Sequence, residues 1–110
     1  MRAVLLRREK FIEGDEDLVE LLLWQVRWSA AHPEGLRYRL AFVLAGTKTP
    51  AVLYDNHHPK GHHRHRDAAQ SSYPFSGVDQ LLADFLADVR GATAERKGEE
   101  HERPDGHQIP

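Results

Sequence analysis

Cysteine is absent from the 110-residue sequence. The chain therefore has no disulfide framework, no thiolate ligand for zinc and no thiol nucleophile. We predict a cytoplasmic protein, since a lack of cysteine is compatible with a reducing compartment.

Long apolar runs are absent as well. A membrane-spanning helix needs about 20 consecutive apolar residues, and no run in this sequence comes near that length. We therefore expect no membrane partner. The length of the chain corresponds to one domain, large enough for a modest core but not for two.

A large charge of one sign is missing too, because the net charge is only -2. The charges are nevertheless unevenly distributed: residues 1–12 and 21–67 are net basic, whereas residues 13–20 and everything after residue 67 are net acidic. The total charge argues against a protein that binds polyanions nonspecifically. The chain can still present one basic face, since the local field matters more for phosphate binding than the total does.

The clearest strand surrounds Tyr38. Tyr38, Leu40 and Phe42 point to one face, whereas Arg37 and Arg39 point to the other, and this alternation is typical of a half-buried strand. Further predicted strands cover residues 3–8, 18–28, 51–56 and 62–66. In the second of these segments a buried helix competes with the strand, because its first half is apolar on both faces.

A helix is predicted after residue 77. Its apolar residues recur at helical spacing and form one continuous stripe, namely Val78, Leu81, Leu82, Phe85, Leu86 and Val89. Gly91 is predicted to end the helix. Asp79, Asp84 and Asp88 are interpreted as a solvated flank.

Together these patterns predict an α+β fold: a small antiparallel sheet, a meander of four to five strands, with one C-terminal helix packed on it. Residues 1–91 are predicted to form this single domain. Residues 92–110 are predicted to be a charged, disordered tail, because they offer almost no apolar side chains to bury. The aromatic residues assigned to the core are Trp24, Trp28, Phe42 and Phe85.

The segment from Tyr54 to Arg66 differs from the rest of the chain. It holds five of the eight histidines, interleaved with three cations. Protonated imidazoles and other cations repel one another, so grouping them weakens a fold unless an anion or a metal binds there. The residues concerned are His57, His58, His62, His63, His65, Lys60, Arg64 and Arg66.

These residue types suit the cleavage of RNA without a metal. That reaction needs a base for the 2′-hydroxyl proton, an acid for the leaving oxygen and cations for the extra phosphoryl charge. Histidine can act as base or acid near neutral pH, and lysine and arginine carry fixed positive charge. In a regular strand His63 and His65 share one face and Arg64 lies on the other, so a tight constellation requires a bend near Pro59 and Gly61.

A metal site is an alternative interpretation of the same segment. His63 and His65 place two imidazoles on one face of a strand, and His57 or His58 together with Asp55 would complete a ligand set for zinc, nickel or iron. The interleaved cations disfavour a divalent ion, so we predict no metal and no cofactor. A third interpretation, a polar hairpin with solvated histidines, is less favoured because so many imidazoles are clustered.

The motif also resembles a known family. The string Tyr54-Asp55-Asn56, followed by Lys60-Gly61 and His63-Arg64-His65, resembles the signature of TumE-type toxins of bacterial and archaeal toxin–antitoxin systems. The segments Tyr38-Arg39-Leu40-Ala41, Tyr73-x-Phe75 and Leu81 to Phe85 agree in the same order. The sequence departs from the family pattern at His62, where an acidic residue is frequent, and at the pair His57-His58.

This resemblance implies a growth-inhibiting toxin that is held inactive by an antitoxin, usually one with a helix-turn-helix domain. It further implies a likeness to the RelE-type ribonuclease toxins that block translation, which is an analogy at the level of fold. We therefore predict RNA, and the ribosome, as partners.

Under this hypothesis each residue of the motif has a role. His63 and His65 are the acid and base groups, and Asp55 orients a histidine. Lys60 and Arg64 contact the phosphate and its transition state. The predicted substrate-binding residues are Tyr54, Asn56, Arg37, Arg39 and Arg66.

Two alternatives from other functional classes stay open. One is a non-catalytic module that binds nucleic acid or the ribosome, whose affinity falls steeply with salt and which cuts nothing. The other is a metal-dependent hydrolase or metal sensor that uses the histidine cluster, whose activity chelators remove.

Overall fold

A computed structural model describes residues 3–14, 16–57, 60–67 and 69–101. The elements are β1 (Val4–Glu13), β2 (Asp17–Gln25), β3 (Leu36–Val43), β4 (Val52–Asp55), β5 (His63–Arg66), β6 (Ala69–Ser72) and α1 (Val78–His101). This arrangement confirms the predicted α+β fold, with six strands where four to five were expected. Within the described residues, no helix combines the length and the apolar character that a membrane crossing requires.

The sheet is an antiparallel meander in which each strand pairs with its neighbours in sequence, in the order β1-β2-β3-β4-β5-β6. Gly46 and Gly61, in the turns on either side of β4, have positive φ angles of 82° and 72°. Glycine adopts such angles without steric cost. The sixth strand was missed because Ala69 to Ser72 shows no apolar alternation; it is held by backbone pairing with β5.

The segment for which a strand and a buried helix were both possible contains the strand β2. Its burial alternates strictly from Asp17 to Trp24, and the buried members include Val19, Leu21 and Leu23. These side chains join the core between the sheet and α1. The same core contains Leu81, Phe85 and Val89 from the predicted apolar stripe of the helix.

The aromatic residues assigned to the core divide into two groups. Phe42 and Phe85 are fully buried, as predicted. Trp24 is only half-buried, and the prediction for Trp28 is wrong, because 71% of its surface is exposed. Trp28 lies beyond the end of β2, in the loop before β3, where α1 does not cover it.

Helix α1 continues past Gly91 to His101, so the predicted stop at Gly91 is wrong. Gly91 instead makes room for a side chain of the sheet, since a Cβ atom there would lie 3.0 Å from a guanidinium nitrogen of Arg66. Farther along, Arg96 donates two hydrogen bonds of 2.7 Å to the carboxylate of Asp17 and ties the helix to the start of β2. The proposed division into a domain (1–91) and a tail stays a prediction, and residues 102–110 lie outside the described residues.

The sheet thus has two distinct faces. The closed face packs on α1 and carries Tyr38, Leu40 and Phe42 of β3. The open face is the opposite one and carries Arg37 and Arg39, which are exposed. The alternation predicted for this strand is therefore confirmed, and the division into two faces determines where each candidate site residue lies.

Candidate functional site

Strand β5 distributes its four side chains between the two faces. Arg64 lies opposite the buried Tyr54 of β4, and His63 lies opposite Asp55. Because successive side chains of a strand point to opposite faces, His63 and His65 lie on the open face, and Arg64 is on the closed face with Arg66. The predicted cluster of imidazoles and cations is thereby split in two.

His63 is held rigidly on the open face. Its Nδ1 atom lies 2.9 Å from the carbonyl oxygen of Gly61, and its Nε2 atom lies 2.9 Å from Oδ1 of Asp55. A carbonyl and an ionised carboxylate only accept hydrogen bonds, so both contacts are hydrogen bonds only when both ring nitrogens carry protons. With 6% of its surface exposed, His63 is a fixed group whose two nitrogens are already engaged.

His65 is the more available of the two histidines. Its ring centroid lies 5.2 Å from that of His63, and its side chain is only partly buried. Burial lowers the pKa of His65 from its ordinary value of 6.5, the electrostatic effects of His63 and Lys60 lower it further, and Asp55 acts in the opposite sense. At neutral pH His65 is therefore an uncharged imidazole that can accept a proton.

Lys60 borders the same part of the open face. Its ammonium group lies 3.5 Å from the amide oxygen of Gln70, which is the residue of β6 opposite His65. Gly61, between Lys60 and the strand, has a positive φ angle of 72°. The predicted bend was expected to unite Lys60 and Arg64 with the histidines, but Arg64 stays on the closed face. Pro59, the other residue of that predicted bend, lies outside the described residues.

Arg37 and Arg39 are exposed on the open face of β3, as the alternation predicted. Arg39 lies directly opposite Asp55 in the pairing of β3 with β4, and it donates a hydrogen bond of 3.0 Å to Glu20 of β2. The open face therefore brings together Arg37, Arg39, Lys60, Asp55, His63 and His65 from the set of predicted site residues.

Arg64, Arg66 and Tyr54 are not part of this group, because they lie on the closed face. Tyr54 is fully buried and donates a hydrogen bond of 2.6 Å to Asp88 of α1. Arg64 lies 3.6 Å from the same carboxylate, with its guanidinium carbon 5.8 Å from the centre of the Tyr54 ring. The sequence-based roles of Tyr54 in substrate positioning and of Arg64 in transition-state contact therefore find no support in this geometry.

Arg66 binds acidic residues around the helix. It donates a hydrogen bond of 2.9 Å to Glu95, and it also pairs with Asp67 at 3.1 Å and with Asp88 at 3.9 Å. Its positive charge is thus compensated by three carboxylates of the chain itself. This arrangement ties β5 to α1 and leaves substrate binding by Arg66 without support.

Asn56 is buried, and its side-chain amide is used by the backbone. Its Oδ1 atom accepts a hydrogen bond of 2.9 Å from the backbone N–H of Tyr38, and its Nδ2 atom donates one of 2.7 Å to the carbonyl of Leu36. These bonds fasten the end of β4 to the start of β3. Asn56 therefore has a structural role in this geometry, and we no longer assign it to substrate binding.

His62, the residue that departs from the family pattern, also has a structural environment. Its Nδ1 atom lies 2.9 Å from the hydroxyl of Tyr38, and its Nε2 atom lies 3.0 Å from Oε2 of Glu34. Its ring stacks on Phe75 with a centroid distance of 4.6 Å. At the position where the family pattern has an acidic residue, this chain therefore has an imidazole. That imidazole contacts the carboxylate of Glu34 in one loop and the ring of Phe75 in another.

Two acidic residues of the helix were misassigned from the sequence. Asp84 accepts a hydrogen bond of 2.6 Å from Tyr73, and Asp88 accepts the bond from Tyr54, so neither belongs to a solvated flank. A signal was present: Asp84 and Asp88 share helical spacing with the buried Leu81 and Phe85. Asp79, in contrast, is exposed as expected.

Metal binding was the alternative interpretation of the histidine segment. Among the residues that the structure describes, no three histidine, aspartate or glutamate side chains are grouped so that they could hold a metal ion. His57 is exposed and donates its backbone N–H to Asp55. His58 lies outside the described residues.

Comparison with known proteins agrees with the motif on β4 and β5. A family model described as Toxin TumE matches residues 2–93, a range that contains the whole sheet and most of α1. Neither the curated proteins nor the solved structures gave a match. Because the family model covers most of the sequence, the chain belongs to the TumE toxin family.

Proposed function

We propose that this protein is the toxin of a toxin–antitoxin pair and that it inhibits growth by cutting RNA at the open face of its sheet. One observation carries the proposal: a partly exposed imidazole, His65, lies beside a fixed His63–Asp55 pair. Burial lowers the pKa of this imidazole, which favours its uncharged form at neutral pH. A neutral imidazole next to concentrated positive charge is suited to take a proton from a hydroxyl group that attacks a phosphate.

The proposed reaction follows from these positions. His65 removes the proton from a 2′-hydroxyl, and the resulting oxygen attacks the adjacent phosphorus. The bond from phosphorus to the 5′ oxygen breaks, which leaves a 2′,3′-cyclic phosphate on one product. Lys60 stabilises the negative charge that develops and supplies the proton that the leaving 5′ oxygen needs.

His63 has a different role from the one predicted for it. Its two ring nitrogens are engaged with Gly61 and Asp55, so it is a positioning and electrostatic residue rather than a second proton carrier. In its doubly protonated form it adds positive charge beside His65 and helps to keep His65 neutral. In this proposal Asp55, 2.9 Å from His63, orients the imidazole.

Partners follow from the family and from the chemistry. Membership in a toxin family implies an antitoxin partner, and we propose one with a helix-turn-helix domain. Messenger RNA, free or on the ribosome, is the proposed substrate, and its cleavage would block translation in the cytoplasm. The proposed chemistry uses side chains of the chain alone.

The test is to express the protein briefly in bacterial cells and to map new RNA 5′ ends by their chemistry. New 5′-hydroxyl ends, absent with a His65→Ala variant and present with an Arg64→Ala variant, are the expected result. Arg64 is the matched control, because it is the next residue on the same strand but lies on the closed face.

Other outcomes select the competing functions. New 5′-phosphate ends that disappear with a chelator would favour the metal-dependent hydrolase. Growth arrest with intact RNA would favour the module that binds nucleic acid or the ribosome without cutting, and would refute the nuclease.

A further inference from the structure

The open face carries an exposed aromatic surface away from the histidines. Trp24 of β2 is half-buried, although the sheet offers a closed core in which a tryptophan would normally be covered. Its cross-strand partner is Arg37, and the next open-face pair along the same two strands is Leu22 with Arg39. An indole, an aliphatic side chain and two arginines thus lie together on one surface.

This surface is a shallow depression and not a flat patch. Its volume is about 320 Å³, and it is lined by Leu22, Trp24, Arg37, Tyr38 and Arg39. Small-molecule sites have volumes of about 300–1,000 Å³, so the depression has space for one flat aromatic group. Nothing among the described residues fills it.

The charge around the depression favours an anionic ligand. Arg39 pairs with Glu20, whereas Arg37 forms no ion pair with any residue that the structure describes. Across the strand pairing, Arg8 of β1 lies opposite Leu22 and adds a further exposed cation at the edge. A ligand with a planar ring and a phosphate matches this combination of indole and guanidinium groups.

The position of the depression relates it to the proposed reaction. Arg39 lies opposite Asp55, and Asp55 lies opposite His63, so a single cross-strand row connects the depression to the histidines. Neighbouring strands lie about 4.8 Å apart, and this row crosses three of them. A short run of nucleotides can therefore lie on the open face with one base on Trp24 and a phosphate beside His65.

We propose that Leu22, Trp24, Arg37 and Arg39 form a base-stacking subsite for single-stranded RNA, next to the histidines on the open face. The inference rests on the proposed function for its substrate class and deepens it. Stacking on an aromatic side chain needs an unpaired base, because the faces of paired bases are covered by their neighbours. The subsite therefore selects single strands and tolerates different base identities.

The test measures binding separately from cleavage. The probe is a ten-nucleotide single-stranded DNA, which lacks the 2′-hydroxyl that the proposed reaction needs and so stays intact. The full-length Trp28→Phe protein serves as the reporter, because Trp24 is then its sole tryptophan. We expect the probe to quench the fluorescence of Trp24 in a saturable way that weakens with salt.

Substitution gives the expected magnitude. Loss of one stacking contact in Trp24→Ala is expected to weaken binding of a labelled probe about 5- to 150-fold, from the usual contribution of one stacked base. The matched control is Trp28→Ala, which removes an equally aromatic side chain that does not line the depression and should leave the affinity unchanged. Arg37→Gln should weaken binding and flatten its salt dependence, which checks the subsite without removing Trp24.

The outcomes separate the subsite from the nuclease. Probe binding that depends on Trp24 in a protein that never cuts RNA would refute the proposed function and leave the subsite standing. Cleavage of RNA with unchanged probe affinity in both Trp24→Ala and Arg37→Gln would overturn the subsite. Equal affinity for duplex and single-stranded probes, or dissociation of a dimer by Trp24→Ala, would also overturn it, the latter in favour of a second copy of this chain.

Discussion

The two faces of the sheet use the same kinds of side chain for different purposes. On the closed face, Arg64 and Arg66 of β5 meet the carboxylates of α1, and Tyr54 donates to Asp88. On the open face, His63 and His65 of the same strand lie beside a single carboxylate, Asp55. The two arginines of the closed face are compensated by carboxylates of the helix, whereas on the open face Arg39 and His63 are paired and Arg37 forms no ion pair with a residue that the structure describes.

This difference follows from the period of a strand. The four consecutive residues of β5 alternate between histidine and arginine, and a period of two sends the two types to opposite faces. A segment that looks like one dense cationic cluster in the sequence is therefore two separate groups. The arginines join the sheet to the helix, and the histidines form the candidate site.

The largest expected effect comes from the open face. His65→Gln keeps a polar side chain of similar size but removes the proton acceptor, so the rate of RNA cleavage should fall about 10²- to 10⁴-fold. The thermal midpoint of unfolding should stay close to that of the unaltered protein, because His65 lies on the open face, opposite the one that packs on the helix. Cleavage of a labelled RNA, measured beside a melting curve, checks both statements.

An unchanged rate of RNA cleavage in His65→Gln would show that His65 is not the base of the reaction. A parallel Arg64→Gln variant controls for the loss of positive charge on β5, and it should cut RNA at nearly the normal rate.

Substitutions on the closed face are expected to lower the free energy of unfolding. Asp17 is buried on that face and binds Arg96 through both carboxylate oxygens, so Asp17→Asn should lower the free energy of unfolding by about 2 kcal/mol. The hydrogen bond from Arg96 lowers the pKa of Asp17 below 3.8, with the Ala45 N–H adding to it and burial opposing it.

The pH dependence of this effect has a definite sign. A carboxylate whose pKa is lowered by folding stabilises the protein above its unfolded pKa, and that stability is lost as the pH falls. The difference between the unaltered protein and Asp17→Asn should therefore be full at neutral pH and shrink below pH 3.8. A difference that is independent of pH in urea unfolding would contradict the assigned role of the ion pair.

The smallest expected effect is a shift in the pKa of His65. The positive charge of Lys60 contributes to the lowered pKa of His65, so Lys60→Gln should raise that pKa. Because the base must be deprotonated, the acid limb of the kcat/KM profile should move to higher pH, in addition to the loss of rate expected when the proposed proton donor is removed. An acid limb that stays in place or moves to lower pH would show that Lys60 does not lower the pKa of the catalytic base.

The sequence predicted those features that depend on local periodicity. The alternation around Tyr38 placed Arg37 and Arg39 on the face away from the core, and the helical stripe placed Leu81 and Phe85 inside it. Both features follow from side-chain directions within one element, so a single segment contains the information.

The features that it missed depend on contacts between distant elements. Gly91 is typical of a helix end, but it lies in mid-helix, where a guanidinium nitrogen of Arg66 from the sheet would lie 3.0 Å from a Cβ atom. Asn56 is typical of a turn, but it is buried because two backbone groups of β3 need its amide. Strand β6 has no pattern of its own and exists through pairing with β5.

One comparison tests the division of the faces most directly: Asp55→Asn against Asp88→Asn, each with its cleavage rate and its melting temperature measured. Asp55 contacts His63 on the open face, and Asp88 contacts Tyr54 and Arg64 on the closed face. We predict that Asp55→Asn cuts RNA about 10- to 100-fold more slowly with little change in melting. Asp88→Asn should lose about 1–2 kcal/mol of stability and keep its rate per folded molecule. The reverse pattern, with activity lost at Asp88 and stability lost at Asp55, would contradict the account.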